Sequence, residues 1–121
     1  MRGRRSEEVG AVTAELAMVL PLLVMVTAAL AWLLGVGADQ LRIVDATREV
    51  ARALARGDDQ TVAVALGRRV APEGTRFAIR EEGGLVIVEA SAEAVDAGIA
   101  AGLLPDVTVA AEAVALVESV P

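Results

Sequence analysis

The chain of 121 residues has no cysteine and no histidine, and all of its 11 basic side chains are arginine. Without cysteine, no disulfide can staple the fold and no thiolate can serve as nucleophile or metal ligand. Without histidine, the commonest general base and the commonest imidazole ligand are missing. Ser91 and Ser119 have no candidate base. Glu81-Glu82 reads as a solvated hairpin tip, and Asp58-Asp59 as a helix cap lacking the further oxygen ligands of a calcium site. Gly83-Gly84 is followed by neither a lysine nor a helix start, so it is turn chemistry and not a phosphate loop. The chain therefore reads as a non-enzyme with no metal, no cofactor and no small-molecule substrate. Tyrosine is also absent, and Trp32 and Phe77 are the only aromatics, which excludes base stacking on an aromatic platform. The formal net charge is −6. Acids crowd the part after Gly57, where Arg68, Arg69, Arg76 and Arg80 are the only cations. Such a surface repels phosphate backbones, and no nucleic-acid partner is expected.

Charge is also absent from residues 16–38. As helix this run of about 23 residues is roughly 35 Å long, enough to cross a bilayer with some tilt. Ala, Leu and Met dominate it, and these are strong helix formers. Pro21 lies inside, cannot donate a hydrogen bond, and frees the carbonyl of Ala17, so a helix bend is expected there. One acid, Glu15, sits just inside the amino end of the run, and Arg2, Arg4 and Arg5 precede it. Arginines beside an apolar span favour the cytoplasmic side. Here Arg42, Arg48, Arg52 and Arg56 follow the span as well, so charge counting alone does not fix the orientation.

The helical period continues past the span. At 100° per residue, Ile43, Ala46, Thr47, Val50, Ala53 and Leu54 share one arc, and Arg42, Asp45, Arg48, Glu49, Arg52 and Arg56 share the opposite one. Asp45 with Arg48, and Glu49 with Arg52, stand at the i,i+3 spacing of a helical ion pair. Gly57 is a natural stop. Asp58 or Asp59 caps a short second helix to about Val70, with Val62, Leu66 and Val70 as its apolar positions, and Pro72-Glu73-Gly74 breaks it. The remainder reads as strand. Thr75, Phe77 and Ile79 alternate with Arg76, Ala78 and Arg80; Glu81 to Gly84 form a hairpin loop; Leu85 to Ala92 follow as a second strand. Residues 93–105 form an alanine- and glycine-rich connection with room for one helical turn. From Val107 the odd positions are apolar, which predicts a third antiparallel strand. A helix over residues 107–119 is the alternative, because Ala and Glu favour it. The expected fold class is α+β: a long N-terminal transmembrane helix continuing into an amphipathic helix, a short second helix, and a small three-stranded antiparallel sheet. The expected divisions are a leader at 1–10, the span at 11–38, the amphipathic extension at 39–57 and a small domain at 58–121.

A carboxylate at the edge of a membrane helix is a functional hypothesis by default. Glu15 has no lysine, histidine or nearby arginine to pair with. A cut after Gly10 would give Ala11 a new α-amino group, cationic near neutral pH, four residues before Glu15. In a stack of helices that amine could neutralise the Glu15 of a neighbour. Glycine suits a scissile position that must be extended and unhindered.

At these residues the chain resembles a known family. Gly10-Ala11-Val12-Thr13-Ala14-Glu15 looks like the processing site of type IV prepilins. Ala14-Glu15-Leu16-Ala17 with Pro21 is more closely similar to the TadE/TadG-like pseudopilins, the minor pilins of tight-adherence (Tad) pilus systems. Asp45 to Arg52 resembles the alanine/arginine helix that follows the span in that family. The likeness covers roughly residues 7–57, and departs at Leu16, where the family often has phenylalanine. The resemblance implies a subunit of the bacterial inner membrane with a cytoplasmic leader and an extracytoplasmic C-terminal domain. It implies cleavage by a prepilin peptidase after Gly10, and partners among membrane lipid, other pilin-like subunits and Tad membrane assembly proteins. Two other fates remain open on sequence. One is an unprocessed, membrane-anchored binding module. The other is a secreted domain released by signal-peptide removal at Val36-Gly37-Ala38, against which stand the length of the apolar run and the interruption by Glu15.

Overall fold

The computed structural model describes residues 2–94, 98 and 102–118. The chain divides into two compact units, one ending at Leu33 and one beginning at Leu34. Helix α1 (Arg2–Ala55) belongs to both, and is followed by α2 (Gln60–Arg68), β1 (Arg76–Glu82), β2 (Leu85–Glu93) and β3 (Thr108–Leu116). This is the expected α+β class, and the chain from Thr108 is strand. Alanine and glutamate favour helix in isolation, but β3 offers Val109, Ala111, Ala113 and Ala115 as one inward row, and that row packs.

In the first unit every described side chain from Gly3 to Ala31 is exposed. Met18 is 81% and Leu22 60% exposed. None of the most apolar window of α1 is buried, and α1 is the one membrane-span candidate among the described residues. Its length and bare apolar surface fit a helix that crosses a membrane. The helix runs unbroken through Pro21. It also includes residues 2–10, so the basic leader is helical.

The second unit is built on a three-stranded antiparallel sheet in the order β1-β2-β3. β2 is central, pairing Val88 with Ile79 on one side and with Ala113 on the other. The expected helical arc is the buried one: Ile43, Ala46, Thr47, Val50 and Ala53 are fully buried. Val50, Ala51, Ala53 and Ala63 pack with Val86 and Val88 in one cluster, and Ile43 with Ala90, Ala92 and Val109 in a second. Each fully buried valine or isoleucine contributes about 1.5–3 kcal/mol. Buried Thr47 returns its hydroxyl proton to the Ile43 carbonyl, at 2.5 Å.

Local chemistry sets the joints. α1 ends on Gly57 at φ 92°, with the Gly57 amide on the Leu54 carbonyl and the Asp58 amide on the Ala53 carbonyl. That pair of bonds is the Schellman closure. Asp59 caps α2 by accepting from the Thr61 amide at 3.1 Å. Thr75 belongs to the turn before β1 and not to the strand, since its amide and hydroxyl both donate to the Pro72 carbonyl. The hairpin loop is tighter than the expected four residues. Glu81 and Glu82 pair with Val86 and Leu85 inside the ladder, leaving Gly83 and Gly84 as a two-residue turn, both at positive φ. That geometry matches the strand twist, which is why two residues suffice.

α2 does not present the expected face. Val62 and Val70 are exposed, and the buried positions are Ala63 and Gly67. The reason is proximity to α1: a Cβ on Gly67 would lie 2.3 Å from Cγ2 of Val50 and 3.3 Å from the Ala46 carbonyl oxygen. Only small residues fit that contact. The helical turn expected within residues 93–105 falls largely outside the described residues.

Candidate assembly site

The first unit carries the predicted site residues on one helix. Gly10, Ala11 and Glu15 all lie within α1, and all are exposed. Nothing stands within 4 Å of a Cβ built on Gly10, so packing does not require glycine there. Glycine costs an exposed helix about 0.8–1.0 kcal/mol relative to alanine. Gly10 is therefore a mildly unfavourable residue in an otherwise favourable stretch of helix. Just downstream, Thr13 donates its hydroxyl to the Val9 carbonyl at 2.8 Å. That bond satisfies the hydroxyl locally and keeps it from demanding a partner in an apolar setting.

Glu15 makes no hydrogen bond and no ion pair among the described residues. Its neighbours at helical spacing are Ala11, Val12, Met18 and Val19, none of which can neutralise it. The spacing of four puts residue 11 one turn below Glu15 on the same face. Positions 11 and 15 thus share a stripe of the helix.

The second unit tells what the extension of α1 does. Of the two expected ion pairs on its outer arc, Arg52–Glu49 forms at 3.1 Å. Asp45 and Arg48 form no ion pair among the described residues; instead Arg42 meets Asp39 at 3.8 Å. Asp39 is 7% exposed, a burial that residue type alone did not announce. Beside it, Gln40 donates through Nε2 to the Ala110 carbonyl at 3.0 Å, tying α1 to the edge of β3. The C-terminal end is tied in turn by the Glu118 amide on the Ala55 carbonyl at 3.0 Å. The sequence had one signal for the contact at Gly67, an isolated glycine within a short helical pattern. Nothing in the sequence marked Gln40 or Asp39.

No group of His, Cys, Asp and Glu among the described residues is arranged to hold a metal ion.

Residues 10–52 match the model of the family described as TadE-like protein. The matched stretch begins at Gly10, runs through Glu15, Pro21 and the whole apolar span, and ends inside the amphipathic part of α1. The resemblance read at these residues is thereby borne out, and the match supports a Tad pilus-associated, pilin-like protein. The family is a structural pilus component, and the long apolar helix fits a single-pass membrane protein of such a system. No curated protein matches the chain, and no solved structure does.

Proposed function

We propose that this chain is a pilin-like assembly subunit whose leader is removed by a prepilin peptidase after Gly10, so that the new α-amino group of Ala11 pairs with Glu15 of a neighbouring subunit. The observation that carries the reading is Glu15 itself: a carboxylate with no hydrogen bond and no ion pair among the described residues, at the start of an apolar window of α1 that holds no buried residue. A charge in the bilayer costs about 2.5–3.5 kcal/mol at the helix centre on insertion scales, and less toward the boundary. Lipid offers no hydrophobic drive for one helix to join another, so polar pairs and packing decide association there. A cation created by proteolysis supplies the missing partner. The same cut removes Arg2, Arg4 and Arg5, which hold the leader on the cytoplasmic side before cleavage. The C-terminal unit then faces outward. Gly10 suits the peptidase because glycine leaves the backbone at the scissile bond unhindered. Cleavage near Ala38 fits less well, since Val36 packs on the second core cluster and Asp39 is buried.

The experiment is a pair of Glu15 variants in a strain that assembles the pilus. Glu15→Ala is expected to be cleaved at the normal rate yet to enter assemblies at least about tenfold less than the parent, the size of effect of one lost polar pair in lipid. Glu15→Asp, which keeps the charge, recovers part of the loss. Wild-type incorporation of Glu15→Ala would remove the pairing from the account.

A further inference from the structure

The sheet of the second unit is covered on one face only. α1 and α2 pack on the face that carries Val86, Val88, Ala90 and Ala92. The other face is bare. At its hairpin end Leu85 and Leu116 stand opposite each other, as do Ile87 and Val114, with Leu116 74% and Val114 54% exposed. Below them lies a shallow hollow of about 490 Å³ with Ala78, Ser91 and Ala110 as its floor and Arg76, Glu89 and Glu112 as its rim. Glu89 and Glu112 are direct cross-strand partners, an unfavourable juxtaposition of like charge. Arg80 neutralises Glu89 at 2.7 Å. Glu112 has no ion-pair partner among the described residues, and neither has Arg76.

We infer that the open sheet face docks the outward stripe of α1 from a second copy of this chain. The argument is charge complementarity. The open face bears Glu82, Glu89, Glu93 and Glu112 against Arg76 and Arg80, an acidic surface. The stripe of α1 bears Arg42, Arg48, Arg52 and Arg56 against Asp45 and Glu49, a basic one. Its unpaired members are Asp45 and Arg48, both exposed, one helical turn apart. They are the opposites of the unpaired Arg76 and Glu112. Arg48 of one copy reaches Glu112 of the next, Asp45 reaches Arg76, and the exposed Leu41 adds apolar area. The small floor of the hollow leaves room for a guanidinium. The α1 stripe and the bare sheet face are different patches of one domain, so the contact is heterologous and repeats from copy to copy. The inference rests on the reading of the chain as an assembly subunit, and gives that reading its outer contact, but it does not depend on the cut at Gly10.

The test places p-benzoylphenylalanine at Ala110, an exposed position on the hollow floor, and irradiates native membranes. All four charges stay intact. The expected adduct has the mass of two chains, with the cross-linked peptide mapping to residues 41–56 of the second copy. Arg48→Glu in the same background lowers its yield at least about tenfold through like-charge repulsion, and Arg48→Glu combined with Glu112→Arg restores it. An adduct with a different polypeptide, an adduct mapping elsewhere on this chain, no dimer, or indifference to Arg48→Glu each overturns the proposal. The amino-terminal residue is read from the same sample. A chain cleaved at Gly10 without the α1 adduct refutes the docking alone; an uncleaved chain that gives the adduct refutes the processing alone.

Discussion

Gly10, Glu15 and Gly67 show how much a single position can carry and how differently it announces itself. Glu15 was legible because it is the one acid at the head of an uncharged stretch, and no arrangement of its own helix neutralises it. Gly10 is read as a processing site only together with Glu15, since alone it is a glycine in a polar stretch. Gly67 was not legible as a contact. Its role comes from how near α2 lies to Val50, a distance set by the sheet beneath both helices. Asp39 is similar: it is 7% exposed, and its neighbour Gln40 bonds to Ala110, 70 residues away in sequence. Gly67→Ala should therefore destabilise the outer domain. The added methyl would meet Val50 at 2.3 Å, and overpacking of this kind costs typically 1–3 kcal/mol. Thermal unfolding of detergent-extracted protein measures it. Combining Gly67→Ala with Val50→Ala should cost less than the sum of the two single changes, because the second makes room for the first. Strict additivity would mean that the two side chains do not compete for one space.

Among the elements, α1 serves two solvents with one period. Residues 16–31 are uncharged and exposed; residues 42–56 bury one arc against the sheet and turn a charged arc outward. That second pattern could be read from residues 42–56 because the 3.6-residue period survives burial unchanged. α2 could not be read the same way. Nine residues give few repeats of the period, and Val62 falls on the outer side while Ala63 and Gly67 take the inner one. β3 needed its neighbour: alanine-rich sequence is ambiguous until β2 offers a row to pair with. The joint between α1 and α2 makes a prediction at this scale. Gly57 at φ 92° closes α1, and nothing stands within 4 Å of a Cβ there. Gly57→Ala should thus cost about 1 kcal/mol from backbone strain alone, with no packing penalty. A fall in unfolding midpoint with unchanged secondary structure is the expected reading, and no fall would place the strain elsewhere.

For the molecule as a whole, the two units divide the work. The first holds an apolar helical stretch with Glu15 at its start, a carboxylate with no ion-pair partner among the described residues. The second holds a small domain of about 80 residues, thin for independent stability, which has no disulfide and relies on α1 for half of its core. The domain's fold followed from alternation and turn chemistry, whereas its bare sheet face became visible only once the strands were paired. The central claim is that proteolysis creates the partner of Glu15, and the intact mass of the membrane-extracted protein tests it most directly. The account predicts a polypeptide beginning at Ala11, and one beginning at Met1 when Gly10→Val blocks the cut. A native polypeptide that begins at Met1 or at Asp39 would contradict it.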